Sequence, residues 1–411
     1  MDNAKKANML TADEALAQLL AGVRTVAETD LVPTIDALGR VLAASQISNI
    51  DVPPLDNSAM DGYAISLADA AAAGTPLRLR VAQRIPAGRT GQPLAQGTAA
   101  RIFTGAPVPP GCNAVVMQED CNVDGDTVTI NKLPEPGQNI RRAGEDIAAG
   151  AEVLPAGIRL RPQDMGLAAS VGLDRLPVYR RLRVATFFTG DEIVMPGQPL
   201  QPGQIYNSNR FVLTGLLQRL GCNIVDLGIV PDSLEATTHV LREAAGKADL
   251  VITSGGVSVG EEDHVKAAVE TVGKLDLWRI AIKPGKPLAF GDAGGVPFIG
   301  LPGNPVSAFV TFCLFVRPFI LASQGVTEIA PQVLPVRADF DWLKPDKRRE
   351  FLRARLAVAS NGKATAQLFP NQGSGVLTST VWADGLVEIT ENTAIRRGEL
   401  VKFLPFSALF E

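Results

Sequence analysis

From residue 182 onward, apolar runs of strand length alternate with stretches of helical spacing. LRVATFF (182–188), NIVDLGIV (223–230) and ADLVITS (248–254) read as strands, and WRIAI (278–282), PLAFG (287–291) and VPFIGL (296–301) follow. Helices are predicted over 211–220, from Asp232 with Glu235 in capping-box register, from His264, and from Pro305. This alternation predicts an α/β domain over 179–326, its mostly parallel sheet covered on both faces. Residues 327–411 alternate apolar and polar in short runs such as FLRARLAV (351–358) and GLVEIT (385–390), predicting a C-terminal β-barrel. Residues 51–146 are rich in Pro and Gly, with short strand-like runs such as AVVMQE (114–119), and predict a mixed β-rich domain. Residues 1–50 read as mainly helical, opening on Thr11-x-x-Glu14 in capping-box spacing. Residues 147–178 return to helix and loop. They are expected to join 1–50 in one elongated N-terminal domain into which 51–146 is inserted.

Composition narrows the function. Hydrophobic residues make up 46% of 411, enough for several cores. With 39 basic and 43 acidic residues spread without runs, the net charge of −4 excludes a basic nucleic-acid face. Four scattered cysteines and two histidines, without a C-x-x-C pair, exclude a Cys/His zinc centre and suit a reducing cytoplasm. The apolar run 305–316 meets Arg317 short of the roughly 20 residues a bilayer needs. The N-terminal residues lack a signal-peptide pattern. A soluble cytoplasmic protein without membrane partners is expected.

Ligands of open α/β sheets bind outside the carboxyl ends of the strands, so the residues after each strand are the candidates. They are Thr189-Gly-Asp-Glu192, Pro231-Asp232, Ser254-Gly255-Gly256-Val-Ser258-Val-Gly260 leading to Asp263, Lys283-Pro-Gly-Lys286, and Leu301-Pro302-Gly-Asn304. Each has an ordinary reading: TGDE and Asp232 as helix caps, KPGKP and LPGNP as rigid turns. The glycine loop also suits backbone N–H groups facing phosphate oxygens. Lys283 and Lys286 suit an oxyanion. Glu192, Asp232 and Asp263 would repel one unless a hard cation such as Mg²⁺ lay between them. DNSAMDGYA (56–64) stands apart, either as a capping-box turn from Ser58 to Asp61 or as a polar functional loop.

Those motifs, with TGAPVPPG (104–111), GQNIRRAGEDI (137–147), SGGVSVGEEDH (254–264), AIKPGKP (281–287) and LPGNPVSA (301–308), resemble in order and spacing the MoeA family of molybdopterin molybdenumtransferases, which is related to the gephyrin E domain. The resemblance implies insertion of molybdate into adenylyl-molybdopterin with release of AMP, with Mg²⁺ or another hard divalent cation. It also implies elongated homodimers of four domains, a third domain resembling MogA-type adenylyltransferases, and possible contact with such an enzyme. Matched residue by residue, Asp61, Asp146, Glu192, Asp232 and Asp263 would be catalytic, and the last three would hold the metal. Thr104, Arg141, the Ser254–Gly260 loop, Lys283, Lys286, Pro302, Asn304, Arg353 and Ser374 would bind substrate. Phe188, His264 and Arg279 depart from the family pattern. Two rival readings are a MogA-like adenylyltransferase and a non-catalytic scaffold. Asp61 is expected in a loop aimed into the cleft beside the α/β domain. Phe351, Arg353 and Arg355 are expected to form one anion-binding strand face that completes the cleft of a second subunit.

Overall fold

The computed structural model describes residues 9–69, 75–256, 264–359 and 362–410. At its centre lies a six-stranded sheet in the order Asn223–Val230, Arg183–Thr189, Leu250–Ser254, Val296–Leu301, Pro287–Ala293, Gly273–Arg279. The first four strands run parallel. Pro287–Ala293 is antiparallel to both its neighbours. Side chains alternate between two cores, as a sheet buried on both faces requires. Val184, Phe188, Leu250 and Ile252 face the helices Ser208–Arg219 and Pro305–Ser323. Ala185, Phe187 and Val251 face the helices Leu234–Lys247 and His264–Val272.

The structure differs from two of these expectations. Residues 9–50, expected to be mainly helical, are mainly non-helical. Thr11 does cap a helix, Ala12–Ala21, with the reciprocal Glu14 bond, but beyond it lies only a short 3₁₀ turn at Thr34–Asp36. That helix packs on the α/β core through Ala15 and Leu19. The helix that begins at Pro305 runs past Arg317 to Ser323. The Arg317 guanidinium is buried and donates to the carbonyls of Ile329 and Ala408. Helix Pro305–Ser323 is long and apolar enough to cross a membrane by length and composition, but 89% of its apolar window is buried inside the protein. Finally, WRIAI is not one strand. It breaks after Arg279, and Ile282–Lys283 pairs in parallel with Arg349–Glu350 of the C-terminal sheet.

Thr29–Pro33 pairs with Arg175–Tyr179, and Gln46–Ile47 with Glu152–Leu154. Between these pairs the chain makes a separate six-stranded mixed sheet, ordered Ala114–Met117, Gly62–Ile65, Thr98–Ile102, Leu77–Ile85, Thr127–Ile130, Cys121–Asp124. The C-terminal strands Arg349–Val358, Ala364–Leu368, Leu334–Ala338, Leu400–Pro405 and Gly385–Ile389 pair in sequence, and the last pairs again with the first, closing a five-stranded barrel. Phe351, Leu386 and Leu404 of the barrel share one core with Phe309 and Phe312 of the long helix, so the barrel packs on its own chain's α/β domain.

Candidate active site

The parallel strands end on a cleft of ≈ 730 Å³, within the range of about 300–1,000 Å³ usual for small-ligand sites. Thr189 and Glu192 border it at the end of strand Arg183–Thr189, Ser254, Gly255 and Gly256 at the end of Leu250–Ser254, and Pro302 and Asn304 after Val296–Leu301. Gly256 has φ +63°, and a Cβ there would stand 2.6 Å from Val265 Cγ2 and 3.0 Å from Thr189 Cγ2. The loop therefore needs glycine both for its left-handed backbone and for close approach. Two helices begin at the cleft, Ser208–Arg219 and Pro305–Ser323, so their positive ends favour an anion.

Asp232 does not cap the helix after it. Ser233 does, accepting from the N–H of Ala236. One residue of offset frees the Asp232 carboxylate, whose Oδ1 accepts from Thr189 Oγ1 at 3.1 Å. Among the described residues no ion pair engages Asp232 or Glu192, and no group of three or more metal-ligating side chains occurs. Of these two carboxylates only Glu192 lines the cleft beside the two helix N-termini, whereas Asp232 stands at the start of another helix, Leu234–Lys247, outside the described lining. Mg²⁺ needs only one or two carboxylates plus substrate phosphates. Ser258, Gly260 and Asp263 lie outside the described residues.

Segment 205–209, which the sequence analysis passed over, forms one wall. Asn207 caps helix Ser208–Arg219, accepting from Arg210 N–H. Asn209 Nδ2 donates to Ser254 Oγ at 2.9 Å and to the Gly303 carbonyl at 2.8 Å, tying two strand-end loops together. The legible signal was asparagine just before a helical pattern. The predicted helix began three residues late, and the cap was lost with them.

Lys283 is not on this cleft's lining. Its Nζ lies 2.8 Å from Oε1 of buried Glu350 and 3.5 Å from Asp346, at the seam with the barrel. The Glu350 contact is off the hydrogen-bonding direction, so we treat it as a charge contact. Lys286 is exposed beside Pro287, which does line the cleft.

The barrel reaches the cleft within one chain. Gly375 and Leu377 line it, and the Ser374 carbonyl accepts from the N–H of Val306 at 3.0 Å. The expectation of a solvent-facing Phe351, Arg353 and Arg355 surface is corrected. Phe351 lies in the seam, and Arg353 is 0% exposed beneath the 369–377 loop. Arg353 Nε donates to Ser379 Oγ and Nη2 to the Gly373 carbonyl, while burial pushes the guanidinium down to about 10. Only Arg355 is exposed, stacked on Trp382.

Asp61 and Thr104 meet elsewhere, in the part of the chain that also carries Arg141 and Asp146, and among the described residues none that lines the cleft comes from 51–146. Within one chain, then, the described part of DNSAMDG does not line the cleft beside the α/β domain. No helix follows Ser58, so the capping reading also fails. Ser58 Oγ bonds locally to Met60. The two carboxylates hold different loops. Asp56 accepts from Ala143 N–H and pairs with Arg142, and Asp61 Oδ1 accepts from both the N–H and hydroxyl of Thr104 at 2.8 Å. The Thr104 backbone bond, then its hydroxyl, hold Asp61 below the usual carboxylate range. Arg141 pairs in a short strand with Asn57, and both Arg141 and Asp146 are exposed. Three separated motifs thus make one polar cluster.

Comparison with known proteins agrees over nearly the whole chain. Residues 10–172 match the MoeA N-terminal region (domain I and II), 185–322 a probable molybdopterin binding domain, and 335–406 the MoeA C-terminal region (domain IV). The chain is 42% identical to a molybdopterin molybdenumtransferase of Haemophilus influenzae over 98% of its own length and 100% of that protein. It is 40% identical to one from Nostoc sp. over 79% and 76%. The structure of a molybdopterin biosynthesis moeA protein from Pyrococcus horikoshii OT3 superposes with a TM-score of 0.83 at 30% identity, covering 97% of this chain and 100% of that one. With these matches spanning the mixed sheet, the cleft and the barrel alike, the chain belongs to the MoeA family.

Proposed function

We propose that this chain inserts molybdate into adenylyl-molybdopterin and releases AMP, completing the molybdenum cofactor. The observation that carries this reading is the cleft at the parallel strand ends, set within the region that matches a molybdopterin-binding domain. We assign Asp61, Asp146, Glu192, Asp232 and Asp263 catalytic roles. Substrate binding falls to Thr104, Arg141, the Ser254–Gly260 loop, Lys283, Lys286, Pro302, Asn304 and Ser374, while buried Arg353 holds the 369–377 loop in place from beneath. Glu192 and Asp232, with Asp263, would hold Mg²⁺, which supplies charge neutralisation at the phosphates. The two helix N-termini bind those phosphates from the protein side. The bond joining AMP to molybdopterin breaks as an oxygen nucleophile attacks phosphorus, and the leaving oxygen takes the negative charge that these dipoles stabilise. Asp61, kept ionised by Thr104, accepts a proton or a hydrogen bond rather than donating one.

The chain divides into 1–50 with 147–178, 51–146, 179–326 and 327–411, a division supported by the strand pairings on either side of the mixed sheet. A cytoplasmic homodimer is the working unit in this reading, and a MogA-type adenylyltransferase is its supplier of substrate. Incubation with adenylyl-molybdopterin tests the activity: AMP should appear only when molybdate is added. Adenylylation of molybdopterin from ATP would replace this reading with the adenylyltransferase one. Inertness toward both substrates would leave the scaffold.

A further inference from the structure

We propose that Tyr206 is a stacking platform for a flat heteroaromatic ring of the substrate, and so a specificity-determining residue of the cleft. The inference rests on the function proposed above and goes beyond it in naming the wall that reads the ring. Ile193–Val194 and Ile205–Tyr206 form a parallel two-stranded ribbon rising from the strand-end loop that carries Glu192. The Ile205 N–H donates to the Glu192 carbonyl and the Asn207 N–H to the Val194 carbonyl, so the ribbon is held at both ends. Ile205 and Tyr206 line the cleft yet stay 56% and 44% exposed.

Tyr206 is one of three tyrosines in the chain. Tyr63 lies under the Arg101 guanidinium, and Tyr179 packs against Gly325. The Tyr206 ring has no ring or guanidinium partner among the described residues. Its hydroxyl donates to the Gln198 carbonyl at 2.9 Å, which anchors the tip of the side chain in advance. An anchored, half-exposed aromatic face in a cleft of mixed polar and apolar lining has a clear physical use. It offers a flat ring a dry partner and spends little entropy doing so. The Gly255–Gly256 loop and the start of helix Pro305–Ser323 line the same cleft, and helix Ser208–Arg219 begins two residues after Tyr206, so a ligand joining a ring to phosphate by a short spacer can engage both kinds of feature. Adenine and pterin share that chemistry.

The test compares AMP with ribose 5-phosphate, and uses 6-carboxypterin as a competitor, by calorimetry on the full chain. The parent should prefer one ring-bearing ligand by about tenfold, the scale of one base stacked on an aromatic side chain. Tyr206→Leu should abolish that preference, and Tyr206→Phe and Tyr206→Trp should keep most of it, with unchanged melting temperatures. Preference for AMP identifies the ring as adenine, and competition by the pterin identifies it as the pterin. A Tyr206→Leu protein with parental preference, or a parent that prefers neither ring, overturns the proposal. Molybdate-dependent AMP release by the parent is scored separately, so loss of the stacking idea and loss of the proposed reaction give different results.

Discussion

The hydroxyl of Thr189 donates to Oδ1 of Asp232 at 3.1 Å, joining the ends of two neighbouring parallel strands. Thr189 is buried while Asp232 is only half-buried, so the bond aims the carboxylate and leaves its second oxygen open toward solvent. If Asp232 holds Mg²⁺, removing the aiming group weakens the metal without removing a ligand. Thr189→Val, nearly isosteric, should raise the Mg²⁺ concentration for half-maximal AMP release by about tenfold, the usual cost of losing an outer-shell partner. Asp232→Asn should cost at least as much. Magnesium activation curves unchanged in both variants would rule out this metal site.

Asp61 should matter to turnover and little to stability. Asn at this position keeps an oxygen where Thr104 donates, so both hydrogen bonds survive and only the charge is lost. Asp61→Asn should therefore unfold within about 0.5 kcal/mol of the parent while AMP release falls. A clear loss of stability with full turnover per folded molecule would make Asp61 a structural loop anchor.

The sequence was most legible where one period held over a whole element. The parallel strands could be read because continuous runs such as LVITS and VATFF are buried on both faces. The barrel could be read from alternation. Reading failed where contacts across long stretches of chain decided the outcome. Arg353 sits in an alternating strand and looked solvent-facing, but the barrel's outer face there is covered by the α/β domain and the 369–377 loop, which local spacing cannot show. Asp232 and Ser233 are both good caps, and only backbone geometry selects the serine. Asn209 carries no local pattern at all. Its partners Ser254 and Gly303 are brought to it by the sheet.

Asp249 should dominate the acid sensitivity of the junction between the N-terminal segment and the α/β domain. Burial raises its proton affinity, but hydrogen bonds from Arg183 and Arg180 outweigh that and hold the carboxyl well below the usual range. Arg180 also pairs with Glu28, so the cluster spans the junction. A carboxyl with a depressed folded-state pKa contributes stability above its unfolded value, about 4. That stability is lost as pH falls toward the folded value. Asp249→Asn should cost about 1–3 kcal/mol at pH 7, and its deficit against the parent should shrink as pH drops below about 4. Denaturant melts between pH 7 and 2 check this, and a deficit constant across the range would contradict the linkage.

The separation of Asp61 from the cleft bears on the dimer. The barrel loop with Ser374 reaches the cleft of its own chain, whereas among the described residues none that lines the cleft comes from 51–146. If both the Asp61 cluster and the cleft serve one reaction, a second copy must bring them together, and a C₂ dimer would make two equivalent composite sites. Homodimers of Asp61→Asn and of Asp232→Asn should each be nearly inactive. Once subunits exchange, a mixed dimer holds one site with both lesions and one with neither. Random pairing makes half the dimers mixed, each with one of two sites intact, so activity should recover to about one-quarter of the parent. Exchange confirmed by mass spectrometry without recovery would place Asp61 and Asp232 in the same site of one chain, or in no common site.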